Sequence, residues 1–331
     1  MEIILSRWLF IKTFLVIFGL IALLFVSGYF YQTISQEKDK EQFSPAGKIF
    51  TLNGYAMHLH CTGSGSPTVI LEAASGGLTS SWGWVQPEIA KKTRVCSYDR
   101  RGRGWSTGES KGKDVAQTAR DLHMLLQKAQ INDKYILVGH SLGGIYTRQY
   151  QKDYPNEVVG MVLVDASHPN LLVTTPEVIE ESKASVNDFY NYAKLSQIGG
   201  LRLYFALGGS IDFSTLPEKE RREMAYFWSN PEHFYSMANE NAQVETLYAQ
   251  GQEFESLEDL PLRIITAADA TQEWVRLQND LFTLSTDSTS VTIQDSTNMS
   301  LVFKKEHADR VSTVINNLVE TLKVRETADS P

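Results

Sequence analysis

Cysteine is scarce in this chain, with only Cys61 and Cys96 among 331 residues. Two thiols exclude a multi-disulfide scaffold, so the fold must rest on an apolar core, and a hydrophobic content of 42% supplies one. No cluster of His, Cys and Asp has the spacing of metal ligands, which argues against a resident metal. A glycine-rich loop of the phosphate-cradling kind is also missing, so nothing suggests a cofactor. Long basic runs are absent and the net charge is -8, which argues against nucleic acid and favours a neutral or weakly polar small molecule. Neither an internal repeat nor a low-complexity tract is present. Histidine is limited to seven residues, and only His307 follows residue 269.

Charge is missing altogether from Thr13 to Gln36, and Phe14 to Val26 is apolar throughout. That stretch is long enough to span a bilayer. Arg7 and Lys12 precede it, which places residues 1–12 on the cytoplasmic side, 13–31 in the membrane and the rest outside. A signal peptide cut near Val26-Ser27-Gly28 is the competing reading, although the run Tyr29 to Tyr31 continues past that site. Residues 32–47 are polar and read as a tether. For a domain outside the cytoplasm a Cys61–Cys96 disulfide and two buried free thiols are both compatible with the sequence.

The globular part is predicted over 48–322. Alternating runs at 48–52 and 55–61, joined by Asn53-Gly54, predict a hairpin. Further strands are expected at 68–71, 93–98, 134–138 and 158–164, with helices near 82–90 and over 114–130. In the second helix Val115, Ala119, Leu122, Leu126 and Ala129 form one apolar stripe. Strands alternating with helices in this way imply a parallel sheet covered on both faces, with ligands at the carboxyl ends of its strands. Residues 168–258 lack strand patterns and read as a helical insertion. A strand at 262–266, a helix at 272–284, a short strand at 291–293 and a closing helix at 306–322 complete the pattern, and the tail 323–331 is expected to fray.

One segment carries chemistry. Tyr135 to Val138 is a β-type run that passes through Gly139-His140-Ser141-Leu142-Gly143 into a helix ended by Pro155. A serine on such a strand-to-helix turn takes a strained conformation and is exposed as a nucleophile. Together with Tyr98-Asp99-Arg100-Arg101-Gly102-Arg103-Gly104-Trp105-Ser106 and with Leu163-Val164-Asp165-Ala166-Ser167-His168-Pro169, it resembles the α/β-hydrolase family. The resemblance covers 48–322, with 168–258 as a helical cap, and implies a serine hydrolase acting on an ester-type carbonyl of a small acyl substrate. Ser141 opposes the dehalogenase and epoxide-hydrolase branches, which need aspartate at that position.

The resemblance also implies an oxyanion hole from the N–H of Leu142 and a second donor in Glu72-Ala73-Ala74-Ser75-Gly76-Gly77, by register Ser75. Chain order places the acid after Ser141, either at Asp269, the preferred position, or at Asp165 on the preceding strand. The base position falls on Asn298, which can hydrogen-bond but cannot take a proton near neutral pH. His307, nine residues on, is the remaining candidate base in this region, and His168 is an outside one. Two functions therefore compete: an esterase using His307 or another base, and an impaired hydrolase-like protein that binds a ligand or partner.

Overall fold

A computed structural model describes residues 2–109, 114–209, 213–252 and 256–329. Its centre is an eight-stranded sheet: β1 Lys48–Leu52, β2 Tyr55–Thr62, β3 Thr68–Glu72, β4 Val95–Tyr98, β5 Tyr135–His140, β6 Val158–Val164, β7 Leu262–Ala267 and β8 Ser288–Ile293. The spatial order is β1-β2-β4-β3-β5-β6-β7-β8. β1 and β2 form the predicted hairpin, and both Asn53 and Gly54 take positive φ, as a two-residue hairpin turn of this type requires. β2 runs antiparallel to β4, with Cys61 opposite Cys96 and a disulfide joining them. From β4 onward all pairings are parallel.

The helices are α1 Glu2–Gln42, α2 Val85–Ala90, α3 Val115–Lys128, α4 Gly143–Asp153, α5 Leu171–Thr174, α6 Glu177–Gln197, α7 Gly200–Ala206, α8 Glu218–Trp228, α9 Pro231–Asn241, α10 Val244–Gly251, α11 Gln272–Phe282, α12 Ser300–Phe303 and α13 Lys305–Asp329. Side chains alternate across each strand, so the sheet feeds two cores. Val69, Val95, Ile136, Val162 and Ile265 pack on one face with α2 and α13. Ile70, Leu137, Met161, Leu163 and Ile264 pack on the other with α3 and with Tyr150 of α4. α5 to α10 lie between β6 and β7 in the chain.

Three segments differ from the sequence expectation. β8 begins at Ser288, earlier than its apolar signal, because an exposed edge strand can pair through backbone alone. The closing helix continues to Asp329, while 330–331 lie outside the described residues. Most of the expected tether is helical: α1 continues without a break to Gln42. Its polar side chains supply the reason. Gln32 Nε2 donates to Ser229 O at 2.9 Å, Gln36 Nε2 donates to Asn230 Oδ1 at 3.2 Å, and Asp39 pairs with Arg202 at 2.6 Å. A polar segment that reads as a linker is in fact matched to polar partners on the cap helices.

Candidate active site

Ser141 stands at the turn between β5 and α4 with φ +51°, the left-handed region that side chains avoid. The glycines around it allow close approach. A Cβ on Gly143 would lie 2.5 Å from Glu72 O, and one on Gly139 would lie 2.6 Å from Thr147 Oγ1. The turn is fixed by backbone bonds: Ser141 N donates to Val164 O at 3.1 Å, and Ser141 O accepts from Gly144 N at 3.0 Å and Ser167 N at 2.9 Å. Ser141 itself is half-buried.

Asp165 ends β6, also at positive φ (+43°). Its carboxylate accepts three hydrogen bonds: Oδ1 from Ala267 N at 3.1 Å and Trp274 Nε1 at 2.8 Å, and Oδ2 from Asn298 Nδ2 at 2.7 Å. Asn298 Nδ2 also donates to Asp165 O at 3.1 Å. Both acceptors are oxygens, so only the NH2 end of the amide fits there, and this fixes its orientation. The preferred acid, Asp269, lies elsewhere. It is exposed, and its backbone N–H donates to Ser296 O at 3.1 Å. The carboxylate beside Asn298 is the alternative, Asp165. The loop after β8 touches both strand ends, and which carboxylate faces Asn298 is a long-range matter.

No histidine among the described residues is hydrogen-bonded to Ser141, and each of the seven is accounted for. His307, buried in the first turn of α13, has Nδ1 2.9 Å from Ser300 Oγ. It therefore shows no contact as a base. His168 Nδ1 accepts from Asn170 N at 3.0 Å, leaving Nε2 to pair with Asp280 at 2.9 Å. His140 Nε2 donates to Asn298 O at 2.9 Å. Burial holds the His140 imidazole below its ordinary pKa, so it is a neutral strut for the Asn298 loop. His58 contacts Asp99, His123 contacts Glu157, His60 lies on β2, and His233 is buried on α9 among Trp228 and Phe234.

The loop after β3 is held by a buried polar cluster that the sequence reading missed. The Arg100 guanidinium donates to Ala73 O at 2.7 Å, Ala74 O at 2.9 Å and Glu72 Oε1 at 2.5 Å. Glu240, reaching down from α9, accepts from Ser75 Oγ at 2.5 Å and pairs with Arg100 at 3.1 Å and Arg103 at 2.8 Å. Tyr98 OH donates to Glu72, and Tyr146 OH donates to Glu240. In a trans peptide C=O and N–H point opposite ways. Binding Ala74 O to Arg100 thus turns the Ser75 N–H away from the cluster. Neither that N–H nor the N–H of Leu142 donates to any described residue. The two amides expected to form the oxyanion hole are thus without a hydrogen-bond acceptor among the described residues.

Burial would raise the Glu240 pKa, but Arg103 and Arg100 hold it below the ordinary carboxylate value. Glu72 shifts the other way, because its burial outweighs Arg100. The sequence signal for this cluster was a glutamate closing the apolar run Thr68 to Leu71, which demands a buried cation. Under the cap the cluster leaves a cavity of about 30 Å³, lined by Arg100, Arg103, Tyr146 and Glu240.

The α/β hydrolase fold family model matches residues 67–251, over half of the chain, and the protein belongs to that family. Among curated relatives, the uncharacterized protein YqjL of Bacillus subtilis (strain 168) is 33% identical over 120 residues, covering 36% of this chain. The chain spans about half or less of the length of such relatives, 47% for YqjL. Among solved structures, Est816, described as an N-acyl homoserine lactone degrading enzyme, aligns with TM-score 0.61 at 18% identity, over 82% of this chain and 100% of its own. The epoxide hydrolase CorEH aligns with TM-score 0.62 at 19% identity, over 82% and 98%. At such identities these structures establish the fold alone.

Proposed function

We propose that the domain binds an ester-type carbonyl at Ser141 and turns it over slowly, as a serine acyl-transfer site impaired by Asn298. One observation carries this reading: Asn298, the residue expected at the base position, is hydrogen-bonded through its amide to Asp165 at 2.7 Å, while its backbone O accepts from His140 beside the serine. In a complete site an imidazole would take the proton from Ser141 Oγ as it attacks, then return it to the leaving group. An amide oxygen can accept a hydrogen bond from the hydroxyl but cannot remove its proton, so Ser141 remains a weak nucleophile. The N–H groups of Leu142 and Ser75 still offer two donors for the carbonyl oxygen. Ligand binding and a residual rate follow from them. The activity of Est816 on a lactone, a cyclic ester, is compatible with this substrate class.

In this reading α1 spans a membrane, with the N-terminus cytoplasmic and the domain outside, where the Cys61–Cys96 disulfide is stable. The test is labelling of the full chain by a fluorophosphonate, comparing wild type with Ser141→Ala and His307→Ala. Slow labelling that requires Ser141 and ignores His307 is the expected result. Rapid labelling that is lost in His307→Ala would overturn it and restore His307 as the base.

A further inference from the structure

The end of α1 that leaves the apolar run does not stand clear of the domain. A Cβ on Gly28 would collide with Ile198 O, and Gly199, at φ +72°, packs against the Tyr31 ring. From Gly28 to Tyr31, α1 is therefore seated on the junction of α6 and α7, and Gln32 and Gln36 continue onto the junction of α8 and α9. Counting from Lys12, a helix crosses about 30 Å of hydrocarbon in about 20 residues, which brings the outer boundary near Gln32. Ile198 lies against Gly28 and Gly199 against Tyr31, within about a turn of that boundary, and α7 starts at the next residue.

α7 and the residues after it are chemically suited to such a position. The stretch Gly200 to Gly209 carries one charge, Arg202. That charge is turned inward, onto Gln32 at 2.9 Å and Asp39 at 2.6 Å of the same α1. On the outside Leu203, Tyr204 and Leu207 are 59%, 51% and 79% exposed, with Leu195 of α6 beside them at 41%. Leu203 and Leu207 lie one turn apart on one face. An apolar ridge with a tyrosine at its flank matches a helix lying in a bilayer interface.

Resting on the membrane reading of α1, we propose that α7 is embedded in the outer-leaflet interface, so that the cap is seated on the bilayer. The partner is the lipid surface itself. The observation that selects it over a second protein copy is continuity: the ridge begins where the spanning helix emerges and is fixed to it by Arg202.

The test uses the full chain in phosphatidylcholine vesicles, with and without doxyl-bearing lipid, under non-reducing conditions that keep the native disulfide closed. A fluorophore is attached at Leu207→Cys, with Leu203→Cys as a second reporter on the ridge. Ile21→Cys reports on the span, and Val324→Cys, exposed on α13, serves as the remote control. Quenching at Leu207 and Leu203 comparable to that at Ile21, and several-fold above that at Val324, is expected. Quenching at Ile21 with both ridge positions at the Val324 level would overturn the proposal while leaving the anchor intact. No quenching at Ile21 would remove the anchor reading and the proposal with it. Self-quenching between ridge labels without a lipid effect would assign the ridge to a second copy and refute the lipid partner.

Discussion

Replacing Asn298 with histidine should supply the base that the proposed acyl-transfer site lacks. Asparagine Nδ2 and histidine Nδ1 hang from the same Cγ, so an imidazole at 298 can keep the 2.7 Å hydrogen bond to Asp165 without moving the backbone. Its Nε2 then lies on the side of the ring away from Asp165, free to serve as a base. Asn298 is half-buried, so the larger ring does not have to displace core side chains. Asp165 is already held by Ala267 N and Trp274 Nε1, and it would fix the tautomer that leaves Nε2 free to accept a proton. Loss of a triad base costs on the order of 10⁴ to 10⁶ in turnover. A partial restoration of about 10² to 10⁴ corresponds to roughly 3 to 5 kcal/mol of barrier at about 1.4 kcal/mol per tenfold. The assay is single-turnover release of nitrophenolate from short-chain acyl esters by the full chain, in wild type, Asn298→His and Ser141→Ala/Asn298→His. The gain should vanish in the double variant and fall on the acid side as the new imidazole protonates. A gain below about tenfold, in a variant that unfolds like the wild type, would refute the reasoning that the missing base limits this site.

Other expectations follow from the same geometry. In the Asn298→His background, Asp165→Asn should remove most of the recovered rate through the wrong tautomer, while Asp269→Asn changes nothing; a loss in Asp269→Asn with none in Asp165→Asn would return the acid to Asp269. Glu240→Ala leaves buried Arg103 without its carboxylate and should cost about 3 to 5 kcal/mol in urea unfolding, with an effect under about 1 kcal/mol contradicting the buried-pair account. The buried His58–Asp99 pair gives a pH signature. Burial opposes the His58 imidazolium, but the bond to Asp99 raises its pKa above 6.5, and Asp99 is held below 3.8 although its burial works against this. The stability advantage of wild type over His58→Gln should therefore be fully present near pH 5 and shrink as pH rises through the folded His58 pKa; an advantage growing with pH would contradict it. Reducing the Cys61–Cys96 bond, which closes a loop of sequence separation 35, should lower the unfolding free energy by about 2 to 4 kcal/mol, read by unfolding with and without reductant.

What the sequence disclosed was what short-range physics controls. Asn53-Gly54 announced its hairpin because the turn chemistry is complete in two residues. The serine turn was visible because a β-type run, two glycines and a helical stripe are contiguous. Asn298 was placed by counting from a strand end. Asp269 and Asp165 could not be separated in this way, since both follow strands and only the fold determines which carboxylate is bonded to Asn298. The Arg100–Glu240 cluster joins residues 140 positions apart, and nothing in a cap of mixed polarity marks Glu240 as buried. The polar stretch after the apolar run had the composition of a linker, and its helix is defined by Ser229, Asn230 and Arg202, which no local pattern connects to it.

The contact between Gln32 and Ser229 bridges 197 positions of chain. During synthesis α1 is complete, and in the membrane reading inserted, long before its cap partners exist. At about 5 to 20 residues per second the interval is roughly 10 to 40 s. For that time Gln32, Gln36 and Asp39 must be satisfied by water or headgroups, and the later arrival of the cap displaces those partners. Docking of the cap onto α1 is thus a late step of folding and, in the membrane reading, one completed by a nascent chain already tethered to the bilayer.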